Sequence, residues 1–381
     1  MRTLASAPAQ AAVQRLVSLD VFRGLTMAAM VIVNNPGDWN NVYAPLLHAT
    51  WHGWTPTDLI FPFFLFIVGV SITLSRRSAN WATIARRAAI IFVLGLFLAG
   101  YPRFDLATWR IPGVLQRIAV CYFVVAGLYH VIVSRRRADG SRTGEDVVVA
   151  SLAFGLAVVY WGILMLVPPP GGMAGDLSPE GNLGAHIDRA LFGRHIWRPR
   201  WDPEGLLSTI PAISTTLFGL LAGMWLRTDA PAGEKARRLL VAGVIMIGLG
   251  LLWSTVFPIN KNLWTSSFAV FTAGAASVLL GASYWAIDVR GWRGWTKPFV
   301  VLGTNAIVLY VVSGVLADTL GIIRATGADG ARVSLARYLY LSFFLPLASP
   351  KNASLLYAFA HLAVLFVLLA WLYRRRIFLR V

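Results

Sequence analysis

Long apolar runs alternate with short polar segments along nearly the whole chain. Each run is close to the ~20 residues that a helix needs to cross about 30 Å of hydrocarbon. The runs are unbroken, which excludes the alternating strands of a membrane barrel. We therefore predict about ten membrane-spanning helices on this length criterion. They are placed at 17–35, 57–75, 82–100, 112–133, 147–167, 205–226, 238–256, 264–286, 298–317 and 353–373.

A further apolar segment at 333–347 differs from these runs. It is shorter, and it contains Arg337 and Pro346, so we expect an interfacial or re-entrant helix there and not another span. No internal repeat divides the chain. The predicted fold class is an all-α integral membrane protein in which residues 1–381 form one domain, a single helical bundle.

Composition agrees with this prediction. Of the residues, 57% are hydrophobic and 13% are charged, whereas soluble domains carry about 25% charged residues. The net charge of +17 suggests a nucleic-acid partner at first. However, the basic residues lie in short loops between apolar runs, so we interpret them as topology signals and predict no nucleic-acid binding. The single cysteine, Cys121, excludes a disulfide within the chain.

The positions of the basic residues predict the orientation in the membrane. If the N-terminus is cytoplasmic, about two thirds of the 34 Lys and Arg fall on cytoplasmic segments. These segments include Arg76-Arg77, Arg135–Arg137 and Arg374–Arg376. We therefore expect both termini in the cytoplasm and the longer loops on the outer side of the membrane. Those loops are 35–56, 168–204, 257–263 and 318–352.

Polar side chains at the ends of the predicted helices fall mostly on the outer face. They are Asn34, His48, His52, Asp58, Arg110, Gln116, Arg117, Asp202, Glu204, Asn260, Lys261, Asn262, Thr304 and Asn305. Ionisable groups at membrane depth are costly, and structural polar residues have no reason to prefer one side. The clustering therefore predicts a functional site at the outer face.

Several of these residues also have a purely structural interpretation. In the stretch 55–58, Thr55 is a helix cap, Pro56 opens the first turn and Asp58 completes a capping box. Asp202-Pro203-Glu204 likewise suits a helix start. Arg117 needs a partner, and an ion pair with Asp58, Asp202 or Glu204 is the structural alternative to a functional role. Both interpretations stay open at this point.

His48 and His52 are four residues apart and could ligate a metal on a helix. The chain has neither an HExxH motif nor a cysteine cluster, so we predict no metal. Histidine has an ordinary pKa near ~6.5, which suits proton transfer at neutral pH. We therefore favour a role in proton transfer for His48.

Six motifs, spread over the chain, resemble the heparan-α-glucosaminide N-acetyltransferase family and its bacterial NagX-like relatives. They are LDVFRG at 19–24, HATWHGWTPTDLIFPF at 48–63, RIPGVLQR at 110–117, DPEGLLST at 202–209, NKNLWTS at 260–266 and YRRRIF at 373–378. The motifs follow the family's order, which makes the resemblance specific.

The resemblance implies a transmembrane acyltransferase that moves acetyl from cytosolic acetyl-CoA to a glucosamine-type amino sugar at the periplasmic face. The family's active-site histidine and asparagine fall on His48 and Asn34. His52 is not matched in the animal enzyme of the family and receives no role. To these we add Asp58 as the residue that orients His48. We assign Arg110, Arg117 and Lys261 to the CoA phosphates, and Asp202, Glu204, Asn260, Asn262 and Trp264 to the acceptor.

Other functions remain as alternatives. One is a secondary transporter for a sugar or an anion, and another is an O-acetyltransferase that modifies a surface glycan. The sequence leaves open whether an acetyl-histidine forms or the acetyl group passes directly to the acceptor. It leaves the acyl-chain length open as well, and whether the chain forms a homo-oligomer among the membrane lipids.

Overall fold

Helices make up most of the chain. The computed structural model describes residues 16–75, 80–139, 144–327 and 330–379, with side chains in the second range as far as 134. The helices are α1 (Val17–Asn34), α2 (Ile60–Leu74), α3 (Trp81–Gly100), α4 (Val114–Asp139), α5 (Glu145–Leu166), α6 (Leu183–Phe192), α7 (Thr209–Leu226), α8 (Ala232–Trp253), α9 (Ser266–Tyr284), α10 (Lys297–Thr304), α11 (Ala306–Ile322), α12 (Leu335–Leu339) and α13 (Pro350–Arg374).

Nine helices within the described residues are long and apolar enough to cross a membrane, and a bent pair, α10 and α11, makes up to ten. This confirms the prediction of an all-α, multi-pass membrane protein. The orientation relative to the membrane stays a prediction. Arg76 and Arg77, which support it, lie outside the described residues, as do the side chains of Arg135–Arg137.

The predicted span at 298–317 is broken and not continuous. Helices α10 and α11 meet at 79°, and the break lies at Asn305. The Asn305 amide donates to the Ile377 carbonyl at 3.1 Å and accepts from the Leu379 N–H at 3.0 Å. The C-terminal tail therefore binds the side chain of the residue at the break. Asn305 lies with that tail, at the end of the bundle away from His48, so it does not join the predicted outer cluster.

The segment after α11 contains the only strands in the described part of the chain. Strands β1 (Arg324–Thr326) and β2 (Arg332–Ser334) form an antiparallel hairpin. A short apolar helical segment, Leu335–Leu347, follows it directly. It begins as α12 and continues as a π turn and a 3-10 turn. The short helix predicted at 333–347 is confirmed, although its first two residues belong to β2.

Small residues bring the spans into close contact. A methyl group at Gly69 of α2 would lie 2.0 Å from the Thr216 carbonyl of α7, and one at Gly219 of α7 would lie 2.1 Å from the Phe66 carbonyl. Glycine lets two backbones approach in this way, which is how membrane helices gain packing energy without a hydrophobic driving force. The pairing with α7 fixes the position of α2, whose first residue, Ile60, follows the loop that carries His48.

An apolar cluster lies beneath the loops that carry the predicted site. Its buried members include Phe61, Leu65, Cys121, Trp264 and Phe268. Above it, the loops at the His48 end of the bundle, here called the site face, are joined by hydrogen bonds. The Gly53 N–H donates to the Ile259 carbonyl at 2.8 Å, and the Trp51 indole donates to the Leu177 carbonyl at 2.9 Å. The loops therefore form one layer over the bundle.

Candidate active site

Asp58 connects a helix start to His48. It lies in the 3-10 turn Pro56–Leu59 that opens α2, and it is only 1% exposed. Its Oδ2 accepts from the backbone N–H groups of Thr55 and Ala49, at 2.9 and 3.0 Å, and so closes a capping box. Its Oδ1 lies 2.7 Å from His48 Nδ1. Asp58 can therefore both cap the helix start, through Oδ2, and orient His48, through Oδ1.

His48 presents one ring nitrogen to the site. A carboxylate only accepts hydrogen bonds, so Nδ1 carries the hydrogen that is donated to Asp58. In the neutral ring, Nε2 is then the nitrogen with the free lone pair. The side chain is 50% exposed, whereas its carboxylate partner is buried. This is the arrangement of a histidine held in one tautomer by a buried acid.

Lys261 completes the histidine cluster, which we define as His48, Asp58 and Lys261. Its Nζ lies 3.2 Å from both ring nitrogens of His48 and 4.0 Å from Asp58 Oδ1. Burial lowers the pKa of Lys261 below its ordinary value, and the nearby charge of Arg117 lowers it further. Glu204 and Asp58 act in the opposite direction without reversing the shift.

The loop that carries Lys261 is held by its neighbour Asn260. The Asn260 side chain accepts from the Leu263 N–H at 2.9 Å and lies 3.3 Å from His52 Nδ1. In the same loop, Trp264 has a φ of 49°, which non-glycine residues rarely adopt. Such strain persists only where the surroundings enforce it, and it is concentrated at functional sites. Asn260 and Trp264, both buried, therefore shape the loop that presents Lys261.

A second group, the arginine cluster, consists of Arg110, Asp202 and Glu204. Arg110 binds Asp202 through two hydrogen bonds of 2.8 and 2.5 Å, and it also contacts Glu204. Asp202 accepts in addition from the backbone N–H groups of Trp197 and Glu204, at 2.7 and 2.9 Å. Burial by itself would lower the pKa of Arg110, but Glu204 and Asp202 outweigh burial and raise it. Arg110 therefore stays charged.

Arg117 lies below both clusters and is 2% exposed. Its Nη2 donates to the Gly205 carbonyl at 2.9 Å and to Ser208 Oγ at 2.5 Å. The guanidinium carbon lies 5.2 Å from the centre of the Trp264 ring. Among the described residues it forms no ion pair, and its Nε and Nη1 have no hydrogen-bond partner. The ion pair considered for Arg117 is therefore absent, because Arg110 holds Asp202 and Glu204.

The two clusters share one electrostatic environment. The charge on Lys261 responds to Glu204 and Arg117 as well as to Asp58. Glu204 is thus the group through which the arginine cluster acts on the histidine cluster. The structure brings His48, Asp58, Lys261, Glu204 and Arg117 into one neighbourhood at the site face.

Other predicted residues are less closely involved. Asn34 is the last residue of α1 and is exposed, and within the described residues its side chain makes no hydrogen bond. Its neighbour Asn35 is buried and donates to the Val31 carbonyl at 2.7 Å. Asn262 is partly buried, also without a side-chain hydrogen bond to a described residue. His52 is exposed; within the described residues its polar and ring contacts are with Asn260 and the edge of Trp51.

Two residues near the arginine cluster were not predicted. Asp188, on α6, is 3% exposed and accepts from the Leu206 N–H at 2.8 Å. Burial raises the pKa of Asp188 from 3.8 to about 6, and the charge of Asp202 adds to the increase. Tyr310, on α11, lies where the charges of Glu204 and Arg110 act on its phenol. The signal for Asp188 is an acid among the apolar residues of Leu183–Phe192, whereas Tyr310 sits in an apolar run without a signal.

The described residues contain no group of three or more His, Cys, Asp or Glu side chains that could hold a metal ion. His48 and His52 contact different partners, Asp58 and Asn260 respectively. The site face offers His48 together with three carboxylates and three cations: Asp58, Asp202, Glu204, Arg110, Arg117 and Lys261.

Comparison with known proteins relates the chain to one family. The family model described as heparan-alpha-glucosaminide N-acetyltransferase, catalytic, matches residues 15–166. The heparan-alpha-glucosaminide N-acetyltransferase of Homo sapiens is 32% identical over 352 residues, which cover 78% of this chain and 52% of the human protein. That of Mus musculus is 32% identical over 359 residues, or 80% of this chain and 54% of the mouse protein. The chain thus spans about half the length of these curated relatives.

Proposed function

This chain belongs to the heparan-alpha-glucosaminide N-acetyltransferase family, and on that premise we propose that it transfers an acetyl group from acetyl-CoA to the amine of a glucosamine-type sugar. The observation that carries the proposal is the 2.7 Å contact between His48 Nδ1 and the buried Asp58. Acetyl-CoA is the cytoplasmic donor, and the site face opens to the periplasm of an inner membrane.

His48 is the residue that handles the proton or the acyl group. With its Nδ1–H donated to Asp58, Nε2 can accept a proton from the attacking amine. Nε2 can equally attack the thioester and carry the acetyl group itself. Both routes need an unprotonated Nε2, so the orientation by Asp58 serves both. Either way the products are the acetylated sugar and free CoA.

Glu204 is the better candidate for recognising the acceptor amine. Both oxygens of Asp202 are occupied by Arg110 and backbone N–H groups. Glu204 uses Oε2 on Arg110, and its Oε1 has no hydrogen-bond partner among the described residues. A carboxylate oxygen of this kind binds an ammonium group through a charge-assisted hydrogen bond. Of the two predicted acceptor carboxylates, only Glu204 retains an oxygen for this purpose.

Arg117 suits the donor's carbonyl oxygen better than the CoA phosphates to which the sequence assigned it. It is almost fully buried, and two of its nitrogens have hydrogens to donate without a partner in the described residues. Attack on a thioester places negative charge on the carbonyl oxygen, and preorganised donors in a water-poor site stabilise that charge. The resemblance assigns an active-site role to Asn34 as well, whose exposed amide at the end of α1 can donate a hydrogen bond to a bound substrate.

The proposal is tested by measuring the release of free CoA from acetyl-CoA with purified full-length protein. We expect release only when glucosamine or a related amine is present. N-acetylglucosamine, which has no free amine, should not replace it; equal activity with that sugar would instead indicate O-acetylation. His48→Ala should abolish release while the melting temperature stays near that of the wild type. His52→Ala, in the same loop, is the matched control.

One feature of the fold also occurs in transporters. Discontinuous helices often mark a transport site near the membrane midplane, and α10–α11 is discontinuous. Here the side-chain amide of Asn305 at the break is bound by the C-terminal tail and is not left for a substrate, which supports the enzyme over the transporter. Uptake of glucosamine into liposomes without acetyl-CoA would favour transport instead.

A further inference from the structure

The described structure already places a primary amine at His48. Lys261 Nζ lies 3.2 Å from His48 Nε2, the nitrogen that faces the site. The Lys261 side chain is mostly buried, with 16% of its surface exposed. The loop 260–265 holds it there through the Asn260 side chain and the Trp264 N–H, which donates to the Lys261 carbonyl at 3.0 Å. The position is therefore set by the fold and not by a freely moving side chain.

This amine has the chemistry of the proposed acceptor. Like the amine of glucosamine it is primary, and it lies beside the same imidazole nitrogen and near the charge of Glu204. Burial lowers the pKa of Lys261, which increases the fraction of neutral, nucleophilic amine. A nucleophile held at the reaction centre reacts as though it were present at a very high concentration.

We propose that Lys261 is an internal acceptor, which is acetylated on Nζ when acetyl-CoA is bound and no sugar amine occupies the site. The inference rests on the proposed function, because it needs an acyl donor at His48. In the reaction the Lys261 ammonium first gives one proton to His48 Nε2. The neutral nitrogen then attacks the thioester carbon, so that a C–N bond forms and the C–S bond breaks. The sulfur leaves with the electron pair and takes the second proton from nitrogen, while His48 releases the first proton to water.

Acetylation at this position would limit the enzyme. It removes the positive charge 4.0 Å from Asp58 and places an amide beside Nε2, where the acceptor has to bind. An occupied acceptor site would displace Lys261 from His48 and protect it. The lysine would therefore couple the acylation activity of the enzyme to the supply of sugar.

The test uses purified full-length protein incubated with acetyl-CoA, with and without glucosamine, followed by peptide mass spectrometry. The chain has four lysines, and the other three, Lys235, Lys297 and Lys351, report the chemical background. We expect acetylation of Lys261 to exceed that of Lys297 and Lys351 by at least about tenfold. Glucosamine should suppress the modification, and His48→Ala should abolish it.

A kinetic measurement supports the peptide data. Preincubation with acetyl-CoA alone should progressively reduce the turnover of the wild type. The turnover of Lys261→Arg, whatever its value before preincubation, should not change during preincubation, because a guanidinium does not accept the acetyl group. Unmodified Lys261 in an enzyme that turns over glucosamine would overturn the inference and leave the proposed function standing. Equal labelling of all four lysines, or labelling that persists in His48→Ala, would also overturn it. Failure to release CoA with any amine would instead overturn the proposed function.

Discussion

The histidine and arginine clusters lie at the same face of the bundle and both depend on buried carboxylates, yet they differ in the cation they hold. In the histidine cluster, Asp58 faces an imidazole, whose second nitrogen can accept a proton. In the arginine cluster, Asp202 faces a guanidinium that stays charged. The first pair can therefore move protons, and the second can only hold loops together and present charge.

The hydrogen bonds agree with this division. Asp202 uses both oxygens to join residue 110 to the loop 197–204, which are far apart in sequence. Asp58 uses one oxygen for its own turn and leaves the other for His48. The role of each carboxylate at the site face thus depends on the side chain that it binds. Substitutions can test the roles of Asp58 and Asp202 separately.

The largest effect is expected for Asp58→Asn. An asparagine can still accept from the Thr55 and Ala49 N–H groups, but its NH₂ would then donate to His48 Nδ1 and move the ring hydrogen to Nε2. The wrong tautomer of a catalytic histidine lowers kcat on the order of 10⁴-fold in serine proteases. We expect a loss of similar order in CoA release, with a melting temperature close to that of the wild type. A variant within tenfold of wild-type activity would remove His48–Asp58 from the mechanism.

The corresponding change in the arginine cluster, Asp202→Asn, should act on stability. It weakens a buried ion pair, and losing one partner of such a pair costs about 3–5 kcal/mol. We expect the lower end of that range, because Glu204 still contacts Arg110. The melting temperature in detergent measures the effect. The matched control is Glu234→Gln at the exposed pair with Arg237 and Arg238, which should cost less than ~1 kcal/mol.

Asp188 is a buried carboxylate near the arginine cluster that forms no ion pair with an arginine in the described part of the chain. Its pKa is raised from 3.8 to about 6, so the folded state binds the proton more tightly than the unfolded state. The stability that depends on Asp188 is therefore greatest below pH 3.8 and falls as the pH rises to about 6, by at most about 3 kcal/mol.

Asp188→Asn should remove this decline, because asparagine does not ionise. Relative to the wild type, the variant should gain stability between about pH 4 and about pH 7, measured as melting temperatures across the pH range. Parallel pH curves for the two proteins would show that Asp188 does not titrate in this interval.

Glu204→Gln is expected to have a smaller effect, on acceptor binding. The substitution keeps a hydrogen-bond acceptor but removes the negative charge that we propose binds the sugar amine. Hydrogen bonds to charged groups contribute about 1.5–3 kcal/mol. We expect KM for glucosamine to rise by at least about tenfold, with a smaller change in KM for acetyl-CoA. A rise confined to acetyl-CoA would assign Glu204 to the donor.

The sequence predicts the spans well because each apolar run has to satisfy its backbone within itself. It does not predict the break at Asn305, which depends on a tail more than 70 residues away. The pairing of Asp58 with His48 could be anticipated because a short loop joins them. The partner of Asp202 could not, since the sequence analysis considered only Arg117 for that ion pair, and the folded loops place Arg110 there instead.

The smallest effect is expected for His52→Ala, which compares two histidines of one loop. His48 has a buried carboxylate on Nδ1 and an amine 3.2 Å from both ring nitrogens, whereas exposed His52 has, among the described residues, the Asn260 amide at 3.3 Å. Without His52, Asn260 still accepts from the Leu263 N–H, so the Lys261 loop should keep its shape. Exposed substitutions of this kind usually change stability by less than ~0.5 kcal/mol. We expect CoA release within about twofold of the wild type. A loss as large as that of His48→Ala would mean that the loop and not the His48–Asp58 pair determines activity.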